Sequence, residues 1–211
     1  MPIDLASRWH WIFDLDGTLT VPAHDFDEIR RMFGLPEGRG ILESLDALPP
    51  ARAEVLRAGL DEYEYELAAA SVVAEGAAAL LETLAGADVR TGIVTRNSLR
   101  NVECTLVAIG LADHFALDYV VTRDCPRSRP KPHPDGILYL LESWGADARS
   151  AVMVGNHVID VEAGRAAGAA TVLVAASDEP PTADLTVESL GDLVAMLTNG
   201  GGAVSARSTF R

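Results

Sequence analysis

Two carboxylates stand at the end of an apolar run near the start of the chain. Residues 11–20 read WIFDLDGTLT, in which Asp14 and Asp16 precede Gly17. A buried carboxylate is costly unless it is paired or binds a metal. A strand that simply ends in a polar turn would explain the same letters without any chemistry. Because residues two apart on an extended chain face the same side, both carboxylates could also act on one ligand.

Polar side chains follow three later apolar runs in the same way. Thr95-Arg96-Asn97 follows the second run, Lys131 lies between prolines in RPKPHP, and Asn156 and Asp160 lie in VGNHVID. If the runs are parallel strands, their carboxyl ends meet at one edge of a sheet, where open α/β sheets bind ligands. We therefore expect these side chains to converge with Asp14 in one crevice.

The elements that must hold these residues follow from the hydrophobic pattern. Five short apolar runs are predicted strands: Trp9–Phe13, Val89–Val94, Leu117–Val121, Ala151–Val154 and Thr171–Val174. Amphipathic stretches of helical length separate the later ones, for example Leu99–Ile109 and Ile137–Trp144. Continuous apolar strands that alternate with helices predict an α/β fold, with a Rossmann-like parallel sheet of about five strands.

The interval between the first two strands is too long for one crossover helix. We interpret residues 20–74 as a wholly helical insert, or cap, that leaves near Val21-Pro22 and returns near Glu75-Gly76. Residues 1–19 and 75–198 would then form the core, and residues 199–211 a flexible tail. An insert at this point would lie over the carboxyl ends of the strands.

Within the insert, Leu56, Leu60, Tyr63 and Leu67 form one apolar stripe. The acidic residues among them, from Glu62 to Glu66, are interpreted as a solvated helix face. Arg39, in the segment EGRG, is interpreted as a surface turn residue that could also reach a substrate carboxylate.

Composition excludes some partners. The chain has 211 residues and a formal net charge of −14, and such a field repels nucleic acid and anionic membrane surfaces. No stretch approaches the ~20 apolar residues that a membrane span requires. Two cysteines suggest no disulfide framework, and we expect reduced thiols in a cytoplasmic protein. The sequence leaves a monomer and a homodimer open.

The ordered motifs resemble those of the haloacid dehalogenase superfamily of phosphohydrolases. DLDGT at residues 14–18, Thr95, Lys131-Pro132 and the GNxxxD pattern at residues 155–160 occur in the family's order, over about residues 9–175. The resemblance is to the subgroup with a helical cap after the first motif, near the phosphoglycolate phosphatases. It implies a Mg²⁺-dependent phosphatase that acts on a small phosphorylated metabolite through an aspartyl-phosphate.

The resemblance also implies roles for individual residues. Asp14 would be the nucleophile, and Asp16 the general acid and then the general base. Members that resemble dehalogenases lack this second Asp, which argues against dehalogenation. Thr95 would donate its hydroxyl to a phosphoryl oxygen, and Lys131 would supply a cation for the developing charge.

Four further residues are expected to bind the phosphate or shape its site. Gly17 lets the chain turn away from the strand, and Thr18 is expected to hold that turn by a hydrogen bond. Backbone amides near Arg96 and Asn97 open a helix, which is a ready anion site. Asn97 or Ser98 could equally be the cap of that helix.

The expected Mg²⁺ ligands are the Asp14 side chain, the Asp16 carbonyl, Asn156 and Asp160. Asn156 stands where the family usually has an Asp, so one negative charge is absent. Magnesium should then bind more weakly, or Asp160 must carry more of the coordination. Two alternatives stay open: a phosphomutase of the same superfamily, and a weakly active or non-catalytic protein that binds phosphorylated ligands.

Overall fold

The computed structural model describes residues 3–22, 26–174 and 183–199. The strands are β1 (His10–Phe13), β2 (Arg90–Val94), β3 (Val120–Val121), β4 (Ala151–Gly155), β5 (Ala170–Val174) and β6 (Leu185–Val187). The helices are α1 (Phe26–Phe33), α2 (Ile41–Asp46), α3 (Pro50–Ala69), α4 (Ala77–Gly86), α5 (Leu99–Ala108), α6 (Asp135–Trp144), α7 (Val158–Ala167) and α8 (Leu190–Asn199). Short 3₁₀ helices lie at Leu5–Ser7, Ala112–His114, Leu117–Tyr119 and Ala148–Ser150.

The six strands form one parallel sheet in the order β3-β2-β1-β4-β5-β6. Every residue of β1 is buried, because the strand lies in the interior of the sheet with a layer of helices on each side. Successive side chains of a strand point to opposite faces. Trp11 and Phe13 accordingly pack into one apolar cluster, and Ile12 packs into the other.

The structure confirms the α/β fold with a Rossmann-like parallel sheet and corrects its details. It adds a sixth strand, β6, whose three residues are too short to give a sequence signal. Only Val120–Val121 of the predicted strand Leu117–Val121 is extended, because Leu117–Tyr119 forms a 3₁₀ turn. β3 is an edge strand that pairs on one side only, so a short run suffices there.

The segment between β1 and α4 contains α1, α2 and α3, and we call it the cap. Its own apolar cluster is built on four buried side chains, Ile29, Leu35, Leu45 and Leu60. Leu56 and Tyr63 pack against that cluster, as their stripe predicts, whereas Leu67 is not one of its members.

The expectation that residues 20–74 are wholly helical is wrong at both ends. Thr20 and Val73 form an antiparallel bridge, and the amide of Val21 donates to the carbonyl of Val72 (2.8 Å). The entering and returning chains therefore pair as two short extended segments beneath the helices. The boundaries proposed for core and cap stay a prediction, and residues 200–211 of the proposed tail lie outside the described residues.

Among the described residues, no helix is both long enough and apolar enough to cross a membrane. Cys104 and Cys125 are both free thiols, each half-buried.

Candidate active site

The first two carboxylates lie where β1 ends. Asp14 is buried, and its amide donates to the carbonyl of Val154 on β4 (2.9 Å), so it continues the sheet pairing by one residue. Asp16 is half-buried and lies beyond it. Both carboxylates line a cavity of about 340 Å³ at the carboxyl edge of the sheet.

The turn after Asp16 depends on a glycine with a positive φ of 80°. At Gly17, a Cβ would also lie 2.3 Å from the side-chain nitrogen of Asn156. The hydroxyl that accepts from the amide of Gly17 belongs to Thr20 (3.1 Å), whereas Thr18 donates across the site to Asn156 Oδ1 (3.4 Å). The expectation that the Thr18 side chain holds the turn is therefore wrong. Its hydroxyl instead links the first motif to the fourth.

Lys131 is the buried cation at the centre of the site. Its Nζ lies 2.5 Å from Asp14 Oδ1 and 2.7 Å from Asp160 Oδ1. Burial lowers the pKa of Lys131, but the two carboxylates raise it by more, so the ammonium stays charged. An ammonium held between two carboxylates fixes the rotation of the Asp14 side chain.

The pKa of Asp14 is raised to about 7, chiefly by burial and in addition by the carboxylates of Asp160 and Asp16, against the opposing effect of Lys131. At this end of the cavity the carboxylates of Asp14, Asp16 and Asp160 outnumber the single ammonium of Lys131. A further cation would lower the pKa of Asp14 and favour its ionised form.

Asp160 lies in the first turn of α7. Its Oδ2 accepts from the amide of His157 (3.0 Å), while the His157 side chain accepts from the amide of Ile159 (3.3 Å). Gly155 makes room for this arrangement, because a Cβ there would lie 2.3 Å from Asp160 Cγ. Both oxygens of Asp160 thus have partners, Lys131 and the start of α7. Its role as a metal ligand stays a prediction.

The end of β2 brings two more expected residues to the cavity. Thr95 is buried, and its hydroxyl accepts from the amide of Asn97 (3.1 Å). Asn97 Nδ2 donates to Asp16 Oδ2 (3.1 Å). Ser98 is the cap of α5, because its side chain accepts from the amide of Asn101 (3.3 Å). Ser98 is therefore the N-cap of α5. The side-chain amide of Asn97 instead donates to Asp16.

The cap closes the other side of the cavity. Its lining residues from the cap are Arg30, Gly40, Ile41 and Glu64, and those that follow the strands include Arg96, Arg123, His157 and Ile159. Arg96 pairs with Glu43 of the cap. Arg39 is exposed and does not line the cavity, and its carbonyl instead accepts from Arg30 Nε (3.2 Å).

Glu64 corrects the interpretation of Glu62–Glu66 as a solvated face. Its side chain is only 15% exposed, and Arg123 Nη1 lies 2.9 Å from its Oε2. Arg123, Arg30 and Glu64 are cavity residues that sequence reasoning missed. No sequence signal distinguishes Glu64 from its acidic neighbours, because only the packing of α3 on α5 selects which carboxylate faces inward.

The donor atoms at the site suit Mg²⁺. It prefers oxygen ligands and uses one or two carboxylates, and the candidates here are the Asp14 carboxylate, the Asp16 carbonyl, the Asn156 amide oxygen and Asp160. Within the described residues no three His, Cys, Asp or Glu side chains are grouped to hold a metal ion. Only two of the four candidate groups, Asp14 and Asp160, are side chains of those types, so that finding does not bear on this set.

Comparison with known proteins gives the same picture of the fold and the class. Residues 20–174 match the family model described as haloacid dehalogenase-like hydrolase, a segment that includes Thr95, Lys131 and Asp160 and begins after Asp16. The chain is 31% identical to a phosphoglycolate phosphatase of Rhodospirillum rubrum, over 92% of this chain and 94% of the relative. It is 30% identical to an N-acetylmuramic acid 6-phosphate phosphatase of Pseudomonas putida, over 77% of this chain and 81% of the relative.

Among solved structures, the chain is similar to a hydrolase from Pseudomonas syringae. The TM-score is 0.76 at 25% sequence identity, and the match covers 91% of this chain and 99% of the other.

Proposed function

Because the chain belongs to the haloacid dehalogenase-like hydrolases and is an enzyme of their phosphatase class, we propose that it cleaves a small phosphate monoester through an aspartyl-phosphate on Asp14. The observation that carries this proposal is the Asp14–Lys131–Asp160 arrangement, buried at the end of the cavity with Asp16 beside it. A positioned nucleophile, an acid and base, and a cation are what stepwise phosphoryl transfer needs.

In the first step, an Asp14 oxygen attacks phosphorus and the bond from phosphorus to the ester oxygen breaks. Asp16, protonated, gives its proton to the leaving oxygen, so an alcohol departs. The Thr95 hydroxyl and the amide of Arg96 would donate to phosphoryl oxygens, whereas the amides of Asn97 and Ser98 are bonded to Thr95 Oγ1 and Asn97 Oδ1. Lys131 keeps Asp14 oriented and offsets the charge that develops on the transferring group.

In the second step, water attacks the phosphorus of the aspartyl-phosphate and the bond from phosphorus to Asp14 breaks. Asp16, now a carboxylate, takes the proton of that water and returns to its starting state. Inorganic phosphate leaves, and Asp14 is ionised again. Closure of the cavity by the cap would exclude bulk water and select the alcohol.

The residues that would hold Mg²⁺ are the side chains of Asp14 and Asn156, the main-chain carbonyl of Asp16 and, in addition, Asp160. When bound, the ion would supply positive charge that offsets the carboxylates and the charge of the phosphoryl group.

The size and lining of the cavity support a small, polar substrate. A volume of about 340 Å³ lies at the small end of the range for ligand pockets. Arg30 brings a guanidinium to the cap side of the cavity, and Ile41 and Ile159 bring aliphatic surface. Small phosphate esters fit this lining if their alcohol part carries a negative charge or hydroxyl groups. Phosphoglycolate and N-acetylmuramic acid 6-phosphate, the substrates in the names of two relatives, are the first to assay.

Hydrolysis of a panel of phosphorylated metabolites tests the proposal. We expect Mg²⁺-dependent release of phosphate from at least one ester, and a loss of about 10³-fold or more in kcat for Asp14→Asn. Beryllofluoride with Mg²⁺, which mimics the acylphosphate, should bind the wild-type protein and not this variant. Asp118→Asn, an exposed change ahead of β3, is the matched control.

Three results would contradict the proposal in different ways. Full activity in Asp14→Asn would exclude the aspartyl-phosphate. A product that is an isomerised phosphate ester instead of free phosphate would indicate the phosphomutase. Binding of phosphorylated ligands without turnover at any Mg²⁺ concentration would indicate the non-catalytic alternative.

A further inference from the structure

The cap reaches the acid and base of the proposed reaction through a chain of side-chain hydrogen bonds. We propose that Glu64 on α3 is a positioning residue, which acts through Asn101 and Asn97 to hold the Asp16 carboxylate in place when the cap is seated on the core. The inference rests on the proposed function, because it assigns Asp16 its role there.

Asn97 makes the direct contact with Asp16. Its Nδ2 donates to Asp16 Oδ2 (3.1 Å), and its Oδ1 accepts from the amide of Ser98 (2.9 Å). Since a main-chain amide can only donate, the oxygen of Asn97 must face Ser98 and its nitrogen must face Asp16. The side-chain amide of Asn97 is thus fixed in the orientation in which its nitrogen donates to Asp16.

Asn101 links this contact to the cap. It is 1% exposed, and its Nδ2 donates both to Asn97 Oδ1 (3.1 Å) and to Glu64 Oε2 (3.4 Å). Its own Oδ1 is buried and has no hydrogen-bond partner among the described residues. A buried acceptor without a partner is costly. The hydrogen bonds from its nitrogen to two acceptors, Asn97 Oδ1 and the Glu64 carboxylate, hold the Asn101 side-chain amide in this orientation.

Glu64 brings a negative charge from the cap to this series of hydrogen bonds. Arg123, which follows β3, lies 2.9 Å from Glu64 Oε2, and both side chains are only 15% exposed. A carboxylate acceptor strengthens and polarises the hydrogen bonds that lead to it. Because Glu64 is on α3 and Asn101 is on α5, the hydrogen bond between them exists only while the two helices are packed together. Seating of the cap would therefore fix Asp16 for proton transfer.

The test separates proton transfer to the leaving group from the rest of catalysis. An alkyl alcohol needs a proton to depart, whereas p-nitrophenolate leaves as a stable anion. We would measure kcat/KM, which reports the first phosphoryl transfer, for p-nitrophenyl phosphate and for the alkyl phosphate that the protein hydrolyses best. For Glu64→Ala and Asn101→Leu we expect a loss of about 10-fold or more with the alkyl ester and of less than about threefold with the aryl ester.

Glu62→Ala is the matched control. Glu62 lies two residues before Glu64 on α3 and pairs with Arg100 of α5 (3.3 Å), so its removal also loses one bond between cap and core, whereas Asn101 bonds to Glu64. We expect this variant to lose little kcat/KM, and to the same extent with both esters. Glu64→Gln keeps an acceptor for Asn101 and should retain more alkyl-ester activity than Glu64→Ala.

Several outcomes overturn the inference. These are an equal loss with both esters, the same substrate-dependent loss in Glu62→Ala, and an unchanged Glu64→Ala. Thermal unfolding of each variant shows whether it is folded, and if Asn101→Leu is not, Glu64→Ala decides the question. A wild-type protein that hydrolyses neither ester would overturn the proposed function as well, which distinguishes the two failures.

Discussion

The balance of charge around Asp14 depends on a few side chains. Asp14 and Asp160 pair with the ammonium of Lys131, and burial together with the carboxylates of Asp160 and Asp16 raises the pKa of Asp14 to about 7. A bound cation would lower that pKa and favour the ionised form of Asp14 at neutral pH. As a ligand of that cation, Asn156 would contribute an oxygen but no charge, so the affinity for the cation should be sensitive to this one residue.

The first prediction concerns Asn156→Asp. The added carboxylate makes the set of proposed Mg²⁺ ligands more negative. We therefore expect the Mg²⁺ concentration for half-maximal activity to fall about tenfold. Titration of phosphatase activity with Mg²⁺ measures it. Asn199→Asp, an exposed change at the end of α8, should leave the titration unchanged. If Asn156→Asp has neither a lower Mg²⁺ requirement nor a higher turnover, our interpretation of this residue is wrong.

At the scale of the elements, the site depends on helices that pack closely against the strands that end in it. α7, which carries Asp160, approaches β4 and β5 through Gly164. A Cβ at Gly164 would lie 2.6 Å from Thr171 Cγ2 and 3.0 Å from Met153 Cβ. These two strand residues are buried and cannot move away without a shift of the sheet.

The second prediction therefore compares two Gly→Ala changes in helices. Gly164→Ala should lower the free energy of unfolding by about 1–3 kcal/mol, because the new methyl group overpacks the contact between helix and sheet. Gly86→Ala, at the exposed end of α4, meets no atom within 4 Å and should raise it by up to about 1 kcal/mol through helix propensity. Urea denaturation measures both. Equal effects at the two glycines would contradict the close packing of α7.

At the scale of the whole molecule, the cap has a hydrophobic core of its own. Ile29, Leu35, Leu45 and Leu60 form a cluster separate from the two that cover the sheet. Ion pairs such as Arg100–Glu62 and Arg123–Glu64 join the cap to the sheet domain. We expect such an arrangement to let the cap loosen independently of the sheet, which would admit substrate to the cavity.

The third prediction tests that independence. Leu60→Ala removes buried apolar contacts from the cap cluster alone, at a cost of about 2–5 kcal/mol. We expect amide hydrogen exchange to accelerate in α1 and α3, while the amides of β1 and β4 stay protected. Leu193→Ala, at an equally buried position of α8 in the main core, should instead accelerate exchange in the sheet. Loss of protection in β1 on Leu60→Ala would show that cap and core form one cooperative unit.

The sequence by itself determined the α/β class and which residues end the strands. Asp14, Thr95, Lys131 and Asp160 could be found because each follows an apolar run, and the carboxyl ends of parallel strands must share one edge. Local patterns of this kind depend only on neighbours along the chain. They also gave α5 and α6 to within one or two residues.

Only the tertiary structure decided which residues face the cavity from the cap. Glu62 and Glu64 are alike in sequence, but the seating of α3 on α5 leaves the first exposed and places the second against Asn101 and Arg123. The same holds for Thr18, whose partner Asn156 is 138 residues away. The physical reason is that orientation across an interface depends on how two elements pack, and neither element's sequence contains that information alone.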